Sequence, residues 1–289
     1  MSRLIVNADD FGLTSGINRA IVQLHQGGVL TSTTLMANAA ASHEAAEMAR
    51  KNPSLGVGCH VVLVDGVPVV DPRELPTLVN RKTGRFHATP GEFLSRLFTG
   101  RIRSREIEAE AAAQIGTLRS YGLSPSHIDT HKHMHMFPTV LRSVLRAARA
   151  AGIRRVRNPF EPVWSLNATA HAPEMRRLEV ILLRRFEPAF LSIVASEGFT
   201  TTEGTIGVLA TGTLDIATVV SLLSAMPEGT FELATHPGYK DEDLEKTNTR
   251  LLGSREIERN ALLAISRFEG IDLISFAKLN NSLNAELST

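Results

Sequence analysis

The sequence predicts an α/β fold, a distorted or incomplete TIM-like (β/α) barrel, on three observations. Short apolar runs alternate with segments of helical periodicity along most of the chain, the pattern of a largely parallel sheet wrapped by helices. Polar residues capable of chemistry gather at the carboxyl ends of those runs, where such folds assemble their sites. The runs number about seven, fewer than the eight strands of a full barrel.

The first run, Leu4-Ile5-Val6, ends at Asn7-Ala8-Asp9-Asp10. A helix is expected after Thr14-Ser15, with Ile17, Ile21, Val22 and Leu24 on one face, stopping at Gly27-Gly28. Residues 32–36 read as a second strand, 44–51 as a helix and 56–64 as a third strand interrupted by His60. Residues 65–103 contain Asp65-Gly66, four prolines and Lys82-Thr83-Gly84, without firm periodicity. A loop that long in a compact domain suggests a lid or binding insertion.

A charged helix is expected from Ser104, with Glu106, Glu108 and Glu110, to Tyr121-Gly122. The fourth strand is 127–130, Pro138 opens the next helix, and 154–157 reads as another short strand. Residues 158–203 give little pattern beyond a helix at 176–186, before Pro188. Strand 205–210, helix 214–225, strand 230–234, helix 255–268 and a closing apolar run 271–276 complete the pattern. The whole chain, 1–289, is expected to form one domain.

Composition narrows the function classes. Of 289 residues 43% are apolar, enough for a sizeable core, which excludes general disorder. Lys and Arg number 31 and Asp and Glu 30, a formal charge of +1. That balance argues against a nucleic-acid surface, which needs clustered basic excess. Cys59 is the only cysteine, cannot pair internally, and fits a reducing compartment. No secretory signal is read at the N-terminus, and no run approaches the roughly 20 apolar residues of a membrane helix. The expectation is a cytoplasmic protein that does not span a membrane.

Asp9 and Asp10 are adjacent carboxylates at a strand end, costly unless a cation or shared proton relieves their repulsion. The alternative is a solvated turn capping the next helix. His60 is either a ligand or a satisfied core histidine. The segment His127-Ile128-Asp129-Thr130-His131-Lys132-His133-Met134-His135 packs four of the ten histidines into a short stretch. In extended backbone alternate side chains share a face, so these imidazoles could converge. Imidazoles with a carboxylate suit a divalent transition metal that keeps positions open for water and substrate. A second carboxylate could then serve as general base. His236, followed by Pro237-Gly238-Tyr239, is a candidate acid or part of a turn.

These residues resemble the YdjC-like carbohydrate deacetylase family, which includes chitooligosaccharide deacetylases and a hopanoid-biosynthesis-associated branch. The resemblance runs through Asn7-Ala8-Asp9-Asp10-Phe11-Gly12, Leu30-Thr31-Ser32-Thr33, Gly58-Cys59-His60, His127-Ile128-Asp129-Thr130-His131 and His236-Pro237-Gly238-Tyr239. It implies one divalent metal ion, magnesium or zinc, on Asp10, His60 and His131. Asp9 becomes the base and His236 the acid, with His133, His135 and Arg157 as substrate contacts. The implied substrate is an N-acetylated amino sugar, as an oligosaccharide or a glycolipid. The segments Val62-Leu63-Val64-Asp65-Gly66-Val67-Pro68 and Leu75-Pro76 to Gly84-Arg85-Phe86 look closest to the hopanoid-associated branch. A homodimer is the implied assembly. Two other readings stand beside this one: an amidohydrolase-like enzyme with two metal ions, and a metal-containing sugar-binding protein without catalysis.

Overall fold

The computed structural model describes residues 1–170, 172–265 and 268–280. Seven strands form one parallel sheet: β1 (Ser2–Phe11), β2 (Ser32–Leu35), β3 (Gly56–Val61), β4 (Ile128–Thr130), β5 (Thr205–Ile206), β6 (Gly229–Thr235) and β7 (Ile271–Leu273). The order is β4-β3-β2-β1-β6-β5. β7 pairs with Ser2–Leu4 of β1, on the edge that β2 takes up higher along the same strand. The sheet curls, with helices around it, into a distorted, incomplete TIM-like barrel.

The two edges of the sheet, β4 and β5, meet through residues 154–160, which include the short strand expected at 154–157. The segment makes single bridges, Val156 to Ile128 and Arg155 to Thr200, rather than a continuous ladder. The Arg157 amide donates to the Ile128 carbonyl at 3.1 Å, and Thr205 donates to the Phe160 carbonyl at 3.1 Å. This irregular stave replaces a regular strand because its inward groups, Arg157 and Asn158, make polar bonds across the barrel instead of apolar packing.

β1 is buried over nearly its whole length, as a central parallel strand should be. Helix α1 (Ser15–Gln26) starts at Thr14, whose side chain accepts the Ile17 amide, and buries Ile17, Ile21 and Leu24. Helix α2 covers Ser42–Lys51. The third strand ends at Val61, three residues short of the apolar run that marked it.

The 65–103 segment is more ordered than its sequence suggests. It contains α3 (Pro90–Phe98), capped by Thr89, which accepts the Glu92 amide at 3.2 Å, and a bridge between Val79 and Phe86. Helix α4 (Ser104–Ser120) pins its first half. Gln114 bonds both Val62 backbone groups, Glu110 accepts the Val69 and Val70 amides, and Glu106 accepts the Thr77 amide and hydroxyl. These side chains sit at i, i+4 and i+8, one face of the helix.

Helix α5 (Pro138–Ala150) opens on its proline and buries Val140, Leu141, Val144, Leu145 and Ala148. The 158–203 stretch, nearly blank as sequence, holds α6 (Val163–Ala168), α7 (Glu174–Leu183) and α8 (Glu187–Ser196). Pro188 begins α8 instead of only ending its predecessor, since a first-turn proline loses no hydrogen bond. Strand β5 keeps two of the six residues expected at 205–210. Helix α9 (Ile216–Ser224) precedes β6, and α10 (Glu242–Glu245), unforeseen, follows it. Helix α11 (Ser254–Ala264) matches the expected 255–268 helix up to Ala264; residues 266–267 of that expectation lie outside the described ones. Among the described residues no helix is long and apolar enough to cross a membrane.

Candidate metal centre and active site

The site lies at the carboxyl ends of the strands, and an irregularity in β1 builds it. Between β1 and β2 the register runs from Ala8↔Thr33 to Phe11↔Leu35, so β1 carries one extra residue there. Regular alternation would send Asp9 and Asp10 to opposite faces of the sheet. The bulge, with Asp10 at φ 64°, brings both carboxylates into one site.

Asp9 is buried and heavily bonded. Arg157 Nη1 donates to Oδ2 at 2.7 Å and Nη2 to Oδ1 at 2.6 Å. Oδ1 also accepts from Asn7 Nδ2 and Thr34 Oγ1, each at 3.0 Å. Burial alone would raise the Asp9 pKa, but the Arg157 charge, with His60 and His236, holds it far below the usual carboxylate range.

Asp10 contrasts with its neighbour. Arg255 Nη2 donates to Oδ2 at 2.5 Å. Oδ1 is buried and accepts no hydrogen bond. It lies 3.3 Å from His131 Nδ1, out of line for a hydrogen bond, and 3.7 Å from His60 Nε2. The two imidazole nitrogens are themselves 3.3 Å apart. Against burial, Arg255 and then His131 hold the Asp10 carboxyl well below its usual range.

His60 and Asp129 are register partners on β3 and β4, which sets His60 Nδ1 2.8 Å from Asp129 Oδ1. With Nδ1–H donating to Asp129, Nε2 is left to face Asp10 and His131. Burial opposes a charge on His60, but Asp129 and Asp9 outweigh it and push the pKa up to about 9. Asp129 Oδ2 in turn pairs with Arg157 Nη1 at 2.5 Å. Arg157 also bonds Glu232 Oε1 through Nε and Nη2, at 2.8 and 2.6 Å. Burial drives the Glu232 carboxyl up to about 7, against the pull of Arg157.

The histidine tract does not run extended as expected. β4 ends at Thr130, and residues His131–Met136 form a 3-10 turn with Lys132 and His133 at φ 57° and 54°. The imidazoles therefore separate. His127 stacks on Phe276 with ring centroids 3.9 Å apart, and burial pushes its pKa down to about 3. His131 reaches the Asp10–His60 cluster. His133 is half-buried, and its Nδ1 is buried without a hydrogen-bond partner.

His135 and Arg157, expected at the substrate, have no exposed surface. His135 bonds the Thr130 hydroxyl and the Arg157 carbonyl, while Arg157 is taken up by three carboxylates. Both side chains are thus engaged by other protein groups.

His236 follows β6 and keeps 13% of its side chain exposed, with Nε2 3.8 Å from Asp9 Oδ2. Glu258 accepts the His236 backbone amide at 2.6 Å and lies 3.8 Å from Nδ1. Burial works against the charged imidazole, but Glu258, Asp9 and Asp10 together raise its pKa. Arg255 and Glu258 went unread in the sequence. Their signal was available, since both fall on the face of α11 that buries Ala261 and Leu262.

Asp10, His60 and His131 fit a divalent cation. Zinc–ligand bonds of about 2.0–2.2 Å put tetrahedral ligand atoms roughly 3.3–3.5 Å apart, close to the spacings here, and Asp10 Oδ1 is a buried acceptor without a donor. Asp9, His60 and Asp129 also lie close enough to hold an ion. Both carboxylates, however, already pair with the Arg157 guanidinium, at 2.6 and 2.5 Å.

The geometry agrees with what the chain is similar to. A carbohydrate deacetylase from Brevibacillus brevis is 31% identical over 283 residues, 96% of this chain and 99% of that one. A chitooligosaccharide deacetylase from Serratia marcescens is 38% identical over 152 residues, 52% of this chain and 57% of that one. A crystal structure from Enterococcus faecalis V583, named for cellobiose-phosphate cleavage, superposes with a TM-score of 0.75 at 26% identity, covering 96% and 98% of the two chains. Residues 3–266 match the family described as YdjC-like protein, and the chain belongs to that family.

Proposed function

We propose that this protein is a metal-dependent carbohydrate N-deacetylase, hydrolysing the acetamide of an N-acetylated amino sugar to acetate and the free amine. The observation that carries the reading is the pairing of two unlike groups beside a three-ligand cluster. Asp9, held ionised, and His236, biased towards its protonated form, face each other at 3.8 Å.

Asp10, His60 and His131 would hold a divalent cation, which when bound would supply Lewis-acid chemistry towards a carbonyl oxygen and water. The residues do the rest. Arg157 fixes the Asp9 carboxylate in orientation and keeps it ionised across the neutral range, the charge state a general base requires. His236 carries the proton that the departing amine needs, and Glu258 holds its backbone in place. Asp129 and Thr34 fix the His60 ring.

Three ligands, with no fourth side chain in the cluster among the described residues, support a catalytic rather than a closed structural site. The Arg157 guanidinium between Asp9 and Asp129 supports one ion rather than an amidohydrolase-like pair. The names of the Brevibacillus and Serratia relatives support the substrate class.

The test is acetate release from N-acetylglucosamine oligomers and from an N-acetylglucosaminyl glycolipid, hopanoid-linked included, by metal-free protein with and without Mg2+ or Zn2+. Release that needs the metal is expected. No release from any of these substrates, with one ion bound per chain, would remove the deacetylase reading.

A further inference from the structure

We propose that Arg255 is a positioning residue for the metal centre: it takes one oxygen of Asp10 and thereby presents the other, Oδ1, as the single oxygen available to a cation. The inference rests on Asp10 being a metal ligand. Arg255 is 1% exposed, and its Nη2 donates to Asp10 Oδ2 at 2.5 Å. Among the described residues Asp10 is the only carboxylate with which it forms an ion pair. Oδ1 is buried, without a donor, and turned to His60 Nε2 and His131 Nδ1.

A carboxylate free at both oxygens can rotate or grip a cation with two. One already bonded at Oδ2 can do neither, so the ligand set stays at three atoms and leaves coordination positions open. The backbone makes such a hold necessary. Asp10 sits in the bulge at φ 64°, a conformation that side chains other than glycine adopt at a cost, and that persists only where surrounding bonds fix it.

Arg255 is itself well placed to act as a fixture. Its stem runs beneath Gly238, where an added Cβ would stand 3.1 Å from Arg255 Cδ, and its carbonyl accepts the Gly238 amide at 3.2 Å. One turn further, Glu258 holds the His236 backbone. A single face of α11 thus fixes both a metal ligand and the candidate acid.

The experiment measures Zn2+ dissociation constants by competition with a chromogenic chelator, on the full chain and on Arg255→Met, Arg255→Lys and Asp10→Ala. Loss of a partner that orients a ligand weakens metal affinity by about 10–100-fold. Arg255→Met is therefore expected to bind Zn2+ that much more weakly, and its Co2+ absorption bands to shift because Asp10 can regrip the ion. Arg255→Lys, which keeps a charged donor, should recover most of the affinity and the wild-type bands. Should Arg255→Met not fold, judged by circular dichroism, Arg255→Gln carries the same comparison. Wild-type affinity and bands in the folded uncharged variant, with Asp10→Ala losing the metal, would overturn the proposal. If Asp10→Ala binds Zn2+ as wild type does, it is the metal reading of Asp10 that fails.

Discussion

His60 stands between two acidic clusters, and the two sides of its ring are built for opposite ends. On the Nδ1 side lie Asp129 and Asp9; on the Nε2 side lie Asp10 and His131. By distance alone either group could hold a metal ion. The Nδ1 side, however, already holds a cation of the protein's own: Arg157 bonds both oxygens of Asp9 and pairs with Asp129 Oδ2. The Nε2 side ends in a buried oxygen without a donor. Proximity of ligand atoms therefore does not define a metal site; it matters also whether a cationic side chain already stands between them.

The sharpest way to break this contrast is to remove the two neighbouring carboxylates separately. Asp9→Asn should retain the metal and lose about 10²–10⁴-fold in turnover, the range expected for a general base. Asp10→Ala should instead lose the metal, measured by elemental analysis after desalting. Near-normal turnover in Asp9→Asn would withdraw the base from Asp9. Retained metal in Asp10→Ala would move the ion to the Arg157 side.

Arg157→Met tests the Nδ1 side directly. It leaves Asp9, Asp129 and Glu232 buried around a missing charge. Breaking a buried ion pair in this way costs about 3–5 kcal/mol, which denaturant unfolding of the metal-free protein would read. An unchanged midpoint would mean that water or protons replace the guanidinium freely, and that the two sides differ less than their hydrogen bonds indicate.

The same contrast separates what was legible in the sequence from what was not. Asp9-Asp10, His60, His131 and His236 could be read because they stand in or at the ends of apolar runs, where such folds assemble their sites, and because the family resemblance runs through them. The bulge that makes Asp9 and Asp10 neighbours in function could not, because it is a property of pairing with β2. Arg255 and Glu258 went unread, and Arg157 was expected at the substrate; burial and ion pairs identify all three as fixtures. Glu106 and Glu110 read only as part of a charged helix, yet with Gln114 they pin the insertion down. The histidine tract misled in the other direction. Its alternation suggested a strand, but left-handed Lys132 and His133 turn the chain so that His131 alone reaches the Asp10–His60 cluster.

The smallest expected effect is also the most direct probe of His60. Its folded pKa of about 9 stands above the ordinary histidine value of 6.5. In the metal-free chain this raised value stabilises the fold fully below pH 6.5, and the contribution is lost as pH rises through about 9. A cation needs the neutral ring, so binding must displace that proton. Metal affinity should therefore climb about tenfold per pH unit between roughly 6.5 and 9 and then level off. Titration calorimetry in buffers of different ionisation enthalpy should record close to one proton released per ion at neutral pH. Affinity that does not change across that window would show a His60 already neutral, held by Asp129 through a hydrogen bond without a charge. The Nε2 side would then be open before any metal arrives.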